Sequence, residues 1–320
     1  MEHYFAPLEG ITDLTYRNIH YKYFPGIDRY YMPFISPTQN HCLTKKEQRE
    51  LPNADRLPCK TIPQILTKSV EDFIWAAQCC IDRGYDEINL NAGCPSGTVV
   101  SKGKGSGMLS NLDIFKDFLD EIFSKCSIKI SVKTRIGLED PEEFPAILNL
   151  LNNYCLSELI IHPRVRKAFY KGNIDLRTFR YAIANTNHSL CYNGDISSLE
   201  DIRWIEAHFP TVSKVMIGRG LVADPGMLIG TTDRKILSAF HEELFDTYCS
   251  VFGNKKNAMC RMKEIWSMMI HLFGDAHQQE KKLKRTNDYE TFRSVAREVL
   301  EHLPMVPVSP CLSDYGDYLI

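Results

Sequence analysis

The chain has 320 residues, of which 44% are apolar and 24% are charged, and its 38 basic and 40 acidic side chains leave a net charge of −2. These values are ordinary for a globular protein and exclude a disordered chain. A protein that coats nucleic acid through its overall charge would be far more basic. Any contact with RNA must therefore come from a local basic patch.

The cysteines and the apolar segments of the sequence indicate the cellular compartment. The 11 cysteines are an odd number and show no repeated CxxC spacing, which disfavours both a disulfide framework and a zinc site. No stretch approaches the ~18 apolar residues of a membrane span. The first residues lack the basic and apolar regions of a signal peptide. We therefore expect a cytoplasmic protein with no metal and no membrane contact.

Eight short apolar runs, each ending in a polar or glycine-bearing motif, recur about every 25 to 42 residues. This spacing is typical of the βα units of a barrel of roughly 250 residues. The sequence predicts an α/β fold, a TIM (β/α)8 barrel over residues 1–230, with an open doubly wound sheet as the alternative. The predicted strands are 4–6, 29–31, 61–63, 87–90, 128–132, 158–161, 190–192 and 214–217, and predicted helices between them include 69–83, 111–125 and 198–208.

The remaining residues, 231–320, predict a smaller C-terminal helical domain with a basic surface. Helices are expected at 234–252, 257–272 and 288–302, and a loop after residue 304. Between residues 253 and 297 there are ten basic and five acidic side chains, centred on Lys281, Lys282, Lys284 and Arg285. A solvated helix face would also explain this run, but its contrast with the acidic remainder favours a surface for a polyanion.

The last two predicted strands end in glycine motifs, Asn-Gly-Asp at 193–195 and Gly-Arg-Gly at 218–220. In TIM barrels the active site lies at the carboxyl ends of the strands, and the loops after strands seven and eight form the usual phosphate site. Glycines there let backbone N–H groups approach phosphate oxygens. Together the two motifs predict a phosphate-bearing cofactor.

Lys133 and His162 follow the fifth and sixth predicted strands. An unpaired ammonium group is costly to bury, and a lysine near N1 and O2 of a reduced flavin would stabilise the negative charge of that ring. A Schiff-base lysine and a structural ion pair are alternatives that the residues leave open. His162 is equally explained as a hydrogen-bonded histidine at a strand end.

Cys94 lies in a loop just past the fourth predicted strand, beside a proline. A thiol of reference pKa ~8.5 is protonated at neutral pH and can act as a general acid. The other ten cysteines are expected to be small apolar side chains. The glycine-rich segment 97–107, with Lys102 and Lys104, predicts a mobile loop that closes over a bulky substrate.

Taken in chain order, these motifs resemble the tRNA-dihydrouridine synthase family. The resemblance rests on segments 6–13, 91–95, 133–135, 162–164, 193–195 and 218–220 together with Gln64, and it covers the barrel, about two thirds of the chain. The Pro-Leu-Glu-Gly form at 7–10 and Pro163 are departures from the family pattern. These departures leave open which tRNA nucleotide is the target.

The resemblance implies reduction of specific tRNA uridines to 5,6-dihydrouridine, with hydride from reduced FMN, a proton from Cys94, and NADPH (or NADH) as reductant. A basic helical domain would bind the RNA, and we expect a monomer. The implied FMN contacts are Pro7, Leu8, Glu9, Gln64, Lys133, His162, Asn193, Gly194, Asp195, Gly218 and Arg219. The substrate contacts are Asn91 and Arg164 at the uracil, with Lys102, Lys104, Lys281, Lys282, Lys284 and Arg285 for the RNA.

Three other functions share part of this pattern. An FMN-dependent barrel oxidoreductase acting on a free dihydropyrimidine-type molecule would need no basic helical domain. A non-catalytic tRNA-binding relative would not need Cys94, Lys133 and His162. A flavin-free aldolase-type barrel using Lys133 would leave Cys94 and Gln64 without roles.

Overall fold

The structure is a computed structural model that describes residues 1–312, and it contains one sheet of nine parallel strands. The strands are β1 (Glu2–Phe5), β2 (Arg29–Tyr31), β3 (Thr61–Ile62), β4 (Gln64–Ile65), β5 (Glu87–Ala92), β6 (Lys129–Arg135), β7 (Leu159–His162), β8 (Leu190–Asn193) and β9 (Lys214–Ile217). Their order in the sheet is β3-β2-β1-β9-β8-β7-β6-β5-β4. Strands β5 and β6 extend beyond their predicted ends, so that Asn91 and Lys133 lie on strands rather than in loops.

The sheet closes on itself at Pro63. The two strands at its ends, β3 and β4, are consecutive in the chain and are separated only by this residue. Proline has no N–H group for the strand ladder, but the Pro63 carbonyl accepts a hydrogen bond from the Asn89 N–H at 2.8 Å. The predicted strand 61–63 is therefore one barrel strand in two pieces. The predicted barrel is confirmed, and the open sheet is excluded.

Helices surround this barrel and continue after it. Helix α3 (Val70–Ile81) begins where the sequence predicted, because the Ser69 side chain caps it by accepting a hydrogen bond from the Asp72 N–H. The helices are α1 (Leu14–Tyr23), α2 (Lys45–Glu50), α3 (Val70–Ile81), α4 (Gly97–Val100), α5 (Leu112–Lys125), α6 (Phe144–Leu151), α7 (Leu176–Asn185), α8 (Leu199–His208), α9 (Arg219–Ala223), α10 (Arg234–Phe252), α11 (Lys255–Met269), α12 (His277–Arg285) and α13 (Tyr289–His302).

The interior of the barrel is filled below the open end. Tyr31, Ile160, Cys191 and Met216, members of one apolar cluster, are fully buried. At the amino ends of the strands, the buried carboxylate of Glu158 accepts hydrogen bonds from two tyrosine hydroxyls and pairs with a lysine. Among the described residues, the amino end of the barrel is thus filled, and the interior is open to a ligand at the carboxyl ends of the strands.

The C-terminal helices rest on the first βα unit of the barrel. Phe240 of α10 packs against Tyr16 of α1 with ring centroids 5.8 Å apart, and the Tyr248 hydroxyl donates to the Asp13 carboxylate at 2.9 Å. Three of these helices agree with the predicted segments to within about two residues, with a short 3-10 turn at Ile270–Leu272 extending α11. Helix α12 was not predicted. The division into domains at residue 230 stays a prediction.

Residues 304–312, which we call the strap, run from the C-terminal helices back to the barrel. Val306 donates its N–H to the Leu272 carbonyl at 2.9 Å. Further along, the N–H groups of Cys311 and Leu312 donate to the Asp201 carboxylate at 2.8 and 2.7 Å. The strap is not helical, as predicted, and the rest of the predicted loop lies outside the described residues. No helix within residues 1–312 is long and apolar enough to span a membrane.

Candidate active site

A cavity of about 830 Å³ opens at the carboxyl ends of the strands. This is the place where TIM barrels carry their sites, and the volume is in the ~300–1,000 Å³ range of cofactor pockets. All the residues expected to contact the cofactor line it, together with the expected acid and both expected uracil contacts. They are Pro7, Leu8, Glu9, Gln64, Asn91, Cys94, Lys133, His162, Arg164, Asn193, Gly194, Asp195, Gly218 and Arg219.

The backbone around Cys94 is held from two sides. The Asn91 Oδ1 atom accepts hydrogen bonds from the N–H groups of Gly93 (3.1 Å) and Cys94 (2.9 Å). From the other side, the Ser106 hydroxyl and N–H both donate to the Cys94 carbonyl, at 2.8 and 3.1 Å. Burial raises the pKa of the Cys94 thiol. The thiol is therefore protonated at neutral pH and faces the cavity.

The segment after Cys94 is folded into short helices where the sequence predicted a loop, and its closure over a substrate stays a prediction. It forms α4 and a 3-10 helix at Gly105–Ser110 whose first five residues are buried. Gly105 has φ +58°, and a Cβ atom at this position would lie 2.9 Å from the Cys94 Cβ atom. Glycine is needed here for both the backbone conformation and the close approach. The segment is thus a wall beside Cys94.

Lys133 and His162 face the cavity in different charge states. Burial lowers the pKa of Lys133 to about 8, and Arg135 adds a smaller repulsion. No carboxylate within residues 1–312 forms an ion pair with Lys133. Burial also lowers the pKa of His162 well below its ordinary value, helped by the nearby cations, so the ring is neutral. Because Arg164 donates to the His162 Nε2 atom at 3.4 Å, the ring proton sits on Nδ1.

Arg164 is engaged by the Asn-Gly-Asp loop. Its guanidinium pairs with both carboxylate oxygens of Asp195, at 2.7 Å for the longer contact, and donates to the Gly172 carbonyl. Arg219 approaches the same carboxylate at 3.3 Å. Asp195 therefore joins the two glycine motifs that end β8 and β9, and it holds the arginine expected at the uracil.

Arg135 and Tyr170 are among the cavity residues that carried no predicted role. Arg135 donates to the carbonyls of Gly93 (3.1 Å) and Val165 (3.0 Å), so it ties the Cys94 loop to the loop after β7. The Tyr170 ring is near two cations, because its centroid is 5.4 Å from the Arg135 guanidinium and 5.0 Å from the Arg219 guanidinium. Arg135 follows Lys133 by two positions on β6, a spacing that places both on one face. No sequence signal distinguishes Tyr170.

The family model for dihydrouridine synthase (Dus) matches residues 4–305. This chain belongs to the dihydrouridine synthase family. The resemblance inferred from the motifs is thereby confirmed.

Individual relatives agree with this membership. The chain is 28% identical to "tRNA-dihydrouridine synthase B" of Shewanella oneidensis over 221 residues, 69% of this chain and 67% of that protein. It is 31% identical to "tRNA-dihydrouridine(20/20a) synthase" of Escherichia coli K12 over 172 residues, 49% of this chain and 48% of that protein. The chain thus spans about two thirds or less of these relatives.

Solved structures show the same fold at low identity. An old yellow enzyme homologue from Zymomonas mobilis superposes with a TM-score of 0.52 at 12% identity, covering 70% of this chain and 86% of that one. Morphinone reductase superposes with a TM-score of 0.50 at 12% identity, covering 71% and 84%. These likenesses concern the barrel architecture alone.

The basic residues expected to meet the RNA lie outside the cavity lining. Lys102 and Lys104 belong to the segment beside Cys94, where the Lys104 Nζ atom donates to Ser36 at 3.3 Å. The second group lies on α12, where Leu283 is buried and the basic side chains are exposed: Lys281, Lys282, Lys284 and Arg285. The two groups therefore sit on different parts of this Dus chain.

Part of the cavity wall comes from beyond the barrel, which the sequence did not reveal. Ser267 and Met268 of α11, His271 after it, and Val308 and Cys311 of the strap all line the cavity. Within residues 1–312 no three His, Cys, Asp or Glu side chains are arranged to hold a metal ion. All 11 cysteines are free.

Proposed function

We propose that this chain reduces specific uridines of transfer RNA to 5,6-dihydrouridine, with bound FMN and with NADPH as the reductant, in the cytoplasm. One observation carries the proposal. The protonated thiol of Cys94, the unpaired ammonium of Lys133 and the two glycine motifs face a single cavity. The family name and the names of the relatives agree with it. Free cysteines suit a reducing compartment.

The residues present fit a flavin mononucleotide. Lys133 has lost hydration without gaining a carboxylate, so an anionic ring edge beside it would be stabilised. At the other end, Arg219 and the loops that follow β8 and β9 offer a cation and backbone N–H groups for a phosphate. A Cβ atom on Gly220 would lie 2.3 Å from the Ile196 carbonyl oxygen, so glycine is required for these loops to meet. When bound, the flavin supplies the hydride.

The protein's own groups supply the proton and the orientation. Cys94 holds a proton at neutral pH, and the hydrogen bonds from its N–H and to its carbonyl keep it at the cavity wall. The Nδ1–H group of the neutral His162 ring and the Lys133 ammonium are hydrogen-bond donors. Arg135 fixes the carbonyl that precedes Cys94. These groups suit a ring that has carbonyl oxygens and accepts a proton at carbon.

The RNA must present an unstacked base to reach this cavity. Extruding a base costs a few kcal/mol, which contacts elsewhere on the RNA must offset. Phosphate contacts give position and affinity without reading sequence. The exposed basic side chains of α12 and the lysines at 102 and 104 are suited to this role. We assign the phosphate contacts to these two groups.

The proposal is tested by separating the two half-reactions. In Cys94→Ala, NADPH should reduce the flavin at the wild-type rate, while formation of dihydrouridine in tRNA transcripts falls at least a hundredfold, the effect expected of a general acid. Cys155→Ala removes an exposed cysteine and serves as the control. Mass spectrometry of nucleosides measures the product. Reduction of free uracil with no activity on tRNA would instead indicate a small-molecule enzyme.

A further inference from the structure

Four buried polar side chains form a continuous hydrogen-bonded chain in the barrel wall beneath the cavity. The Asn91 Nδ2 atom donates to Gln64 Oε1 at 2.7 Å, and Gln64 Nε2 donates to Asn89 Oδ1 at 2.8 Å. Asn89 Nδ2 then donates to Ser131 Oγ at 2.9 Å. Their exposed fractions are 8% for Asn91, 1% for Gln64, and 0% for Asn89 and Ser131. We call this chain the amide relay.

Strand register places the members side by side. Gln64 of β4 pairs with Asn89 of β5, and Asn89 pairs in turn with Ser131 of β6. The relay therefore follows the circumference of the barrel at one level. Asn91 stands two residues beyond Asn89 on the same face of β5, one level closer to the open end.

The end near Cys94 fixes the direction of the hydrogen bonds in the relay, that is, which amide atom of each residue donates and which accepts. Asn91 faces the N–H groups of Gly93 and Cys94, and an N–H group can only donate. The Asn91 atom that meets them must be its oxygen, so the amide nitrogen of Asn91 faces Gln64. Gln64 must then present its own oxygen to Asn91 and its nitrogen to Asn89.

At the other end of the relay, the hydrogen bonds of Ser131 require the same direction. The Ser131 hydroxyl donates to the Ile88 carbonyl at 3.2 Å, and a carbonyl can only accept. Ser131 therefore has lone pairs free for the Asn89 nitrogen, and Asn89 presents its oxygen to Gln64. Reversing Gln64 alone would break two hydrogen bonds and oppose like groups in a buried site, where unsatisfied polar groups are costly.

The relay determines what the cavity wall offers a ligand. Both lone pairs of the Asn91 oxygen are used by the backbone, and one of its two N–H groups is used by Gln64. One N–H group remains, so Asn91 can donate to the cavity but cannot accept. Uracil has a carbonyl oxygen at C4, whereas cytosine has an amino group there, which would oppose one donor to another.

We propose that Asn89 and Ser131, which do not line the cavity, are positioning residues that make the site select uracil over cytosine. The N–H groups of Gly93 and Cys94 set the orientation of Asn91, and Asn89 and Ser131 hold Gln64 in the one orientation that keeps the Asn91 amide there. This inference rests on the proposed function. Gln64 and Asn91 line the cavity, whereas Asn89 and Ser131 act only through them. The role differs from structural packing because it predicts a change in selectivity.

The relay itself is tested by hydrogen exchange in the full-length protein. With 15N-labelled asparagine and glutamine, the Gln64 side-chain N–H protons should exchange slowly in the wild type and at least tenfold faster in Ser131→Ala. Thr134→Val is the matched control, since Thr134 carries a buried hydroxyl on the same strand that, within residues 1–312, bonds only the neighbouring Arg135 carbonyl. Equal exchange rates in the wild type and Ser131→Ala would overturn the relay.

Selectivity is tested on the flavin-loaded enzyme with two tRNA transcripts that carry uridine or cytidine at the reduced position. The selectivity is the rate of single-turnover flavin reoxidation with the uridine transcript divided by the rate with the cytidine transcript. This ratio should fall at least tenfold in Ser131→Ala and in Asn89→Leu, and should stay unchanged in Thr134→Val. An unchanged ratio in Ser131→Ala, with wild-type reduction of the uridine transcript, would overturn the inference and leave the proposed function standing. Failure of the wild type on both transcripts would overturn the proposed function, while hydrogen exchange would still decide whether the relay exists.

Discussion

Replacing Lys133 with methionine is expected to stabilise the protein in the absence of flavin, although the same change removes a proposed flavin contact. Burial lowers the pKa of the Lys133 ammonium from 10.5 to about 8. Each tenfold change in a protonation equilibrium corresponds to ~1.4 kcal/mol, so the charge costs the folded state up to about 3 kcal/mol below pH 8. Methionine fills a similar volume without a charge to desolvate.

The free energy of unfolding of the wild type should depend on pH, and the direction of this dependence follows from the lowered pKa of Lys133. The folded state holds this proton less tightly than the unfolded chain, so the wild type gains stability as the pH rises from about 8 to 10.5. Lys133→Met does not titrate in this window. Its advantage should therefore be greatest below pH 8 and should disappear near pH 10.5.

Urea unfolding of the flavin-free proteins at neutral and at alkaline pH measures both effects. Lys129→Met, an exposed position on the same strand, is the control and should change the free energy of unfolding by less than ~0.5 kcal/mol. Flavin binding, measured by fluorescence quenching, should weaken in Lys133→Met alone. A Lys133→Met variant less stable than the wild type at pH 7 would refute the reasoning, because it would mean that the ammonium is compensated.

Two further changes test the walls of the cavity. Gly105→Ala should slow uridine reduction at least tenfold while NADPH still reduces the flavin, because the added methyl group meets Cys94. Gly253→Ala is the control for backbone strain, since Gly253 has φ +59° and lies in open space. Equal slowing by both changes would assign the effect to strain. Asp195→Asn should lower the free energy of unfolding by ~3 kcal/mol, since it removes the carboxylate charge that faces the buried Arg164 guanidinium. A loss below ~0.5 kcal/mol in urea unfolding would show that the pair is not needed.

Much of the site could be predicted because each motif is local to the end of a strand. Cys94, Lys133 and the two glycine motifs each follow an apolar run, and the barrel then brings the strand ends together. The amide relay also left a signal. Asn89 and Asn91 alternate along one buried strand, and such polar alternation on an interior face requires partners.

Other features depend on contacts that no local pattern encodes. Segment 61–63 reads as one strand, and only closure of the barrel shows that Pro63 divides it. Helix α12 has a single buried apolar side chain, Leu283, so the hydrophobic periodicity that marks a helix is almost absent. The ion pair of Arg164 with Asp195 and the seat of the strap on Asp201 join residues far apart in sequence.

Because of the strap, the wall of this cavity is completed late in the synthesis of the chain. This wall includes both Ala6 and Cys311, and Cys311 is synthesised some three hundred residues after Ala6. A nascent chain on the ribosome can fold its strands one after another, but it cannot complete the wall until the strap has emerged. Chains released early would lack this part of the site.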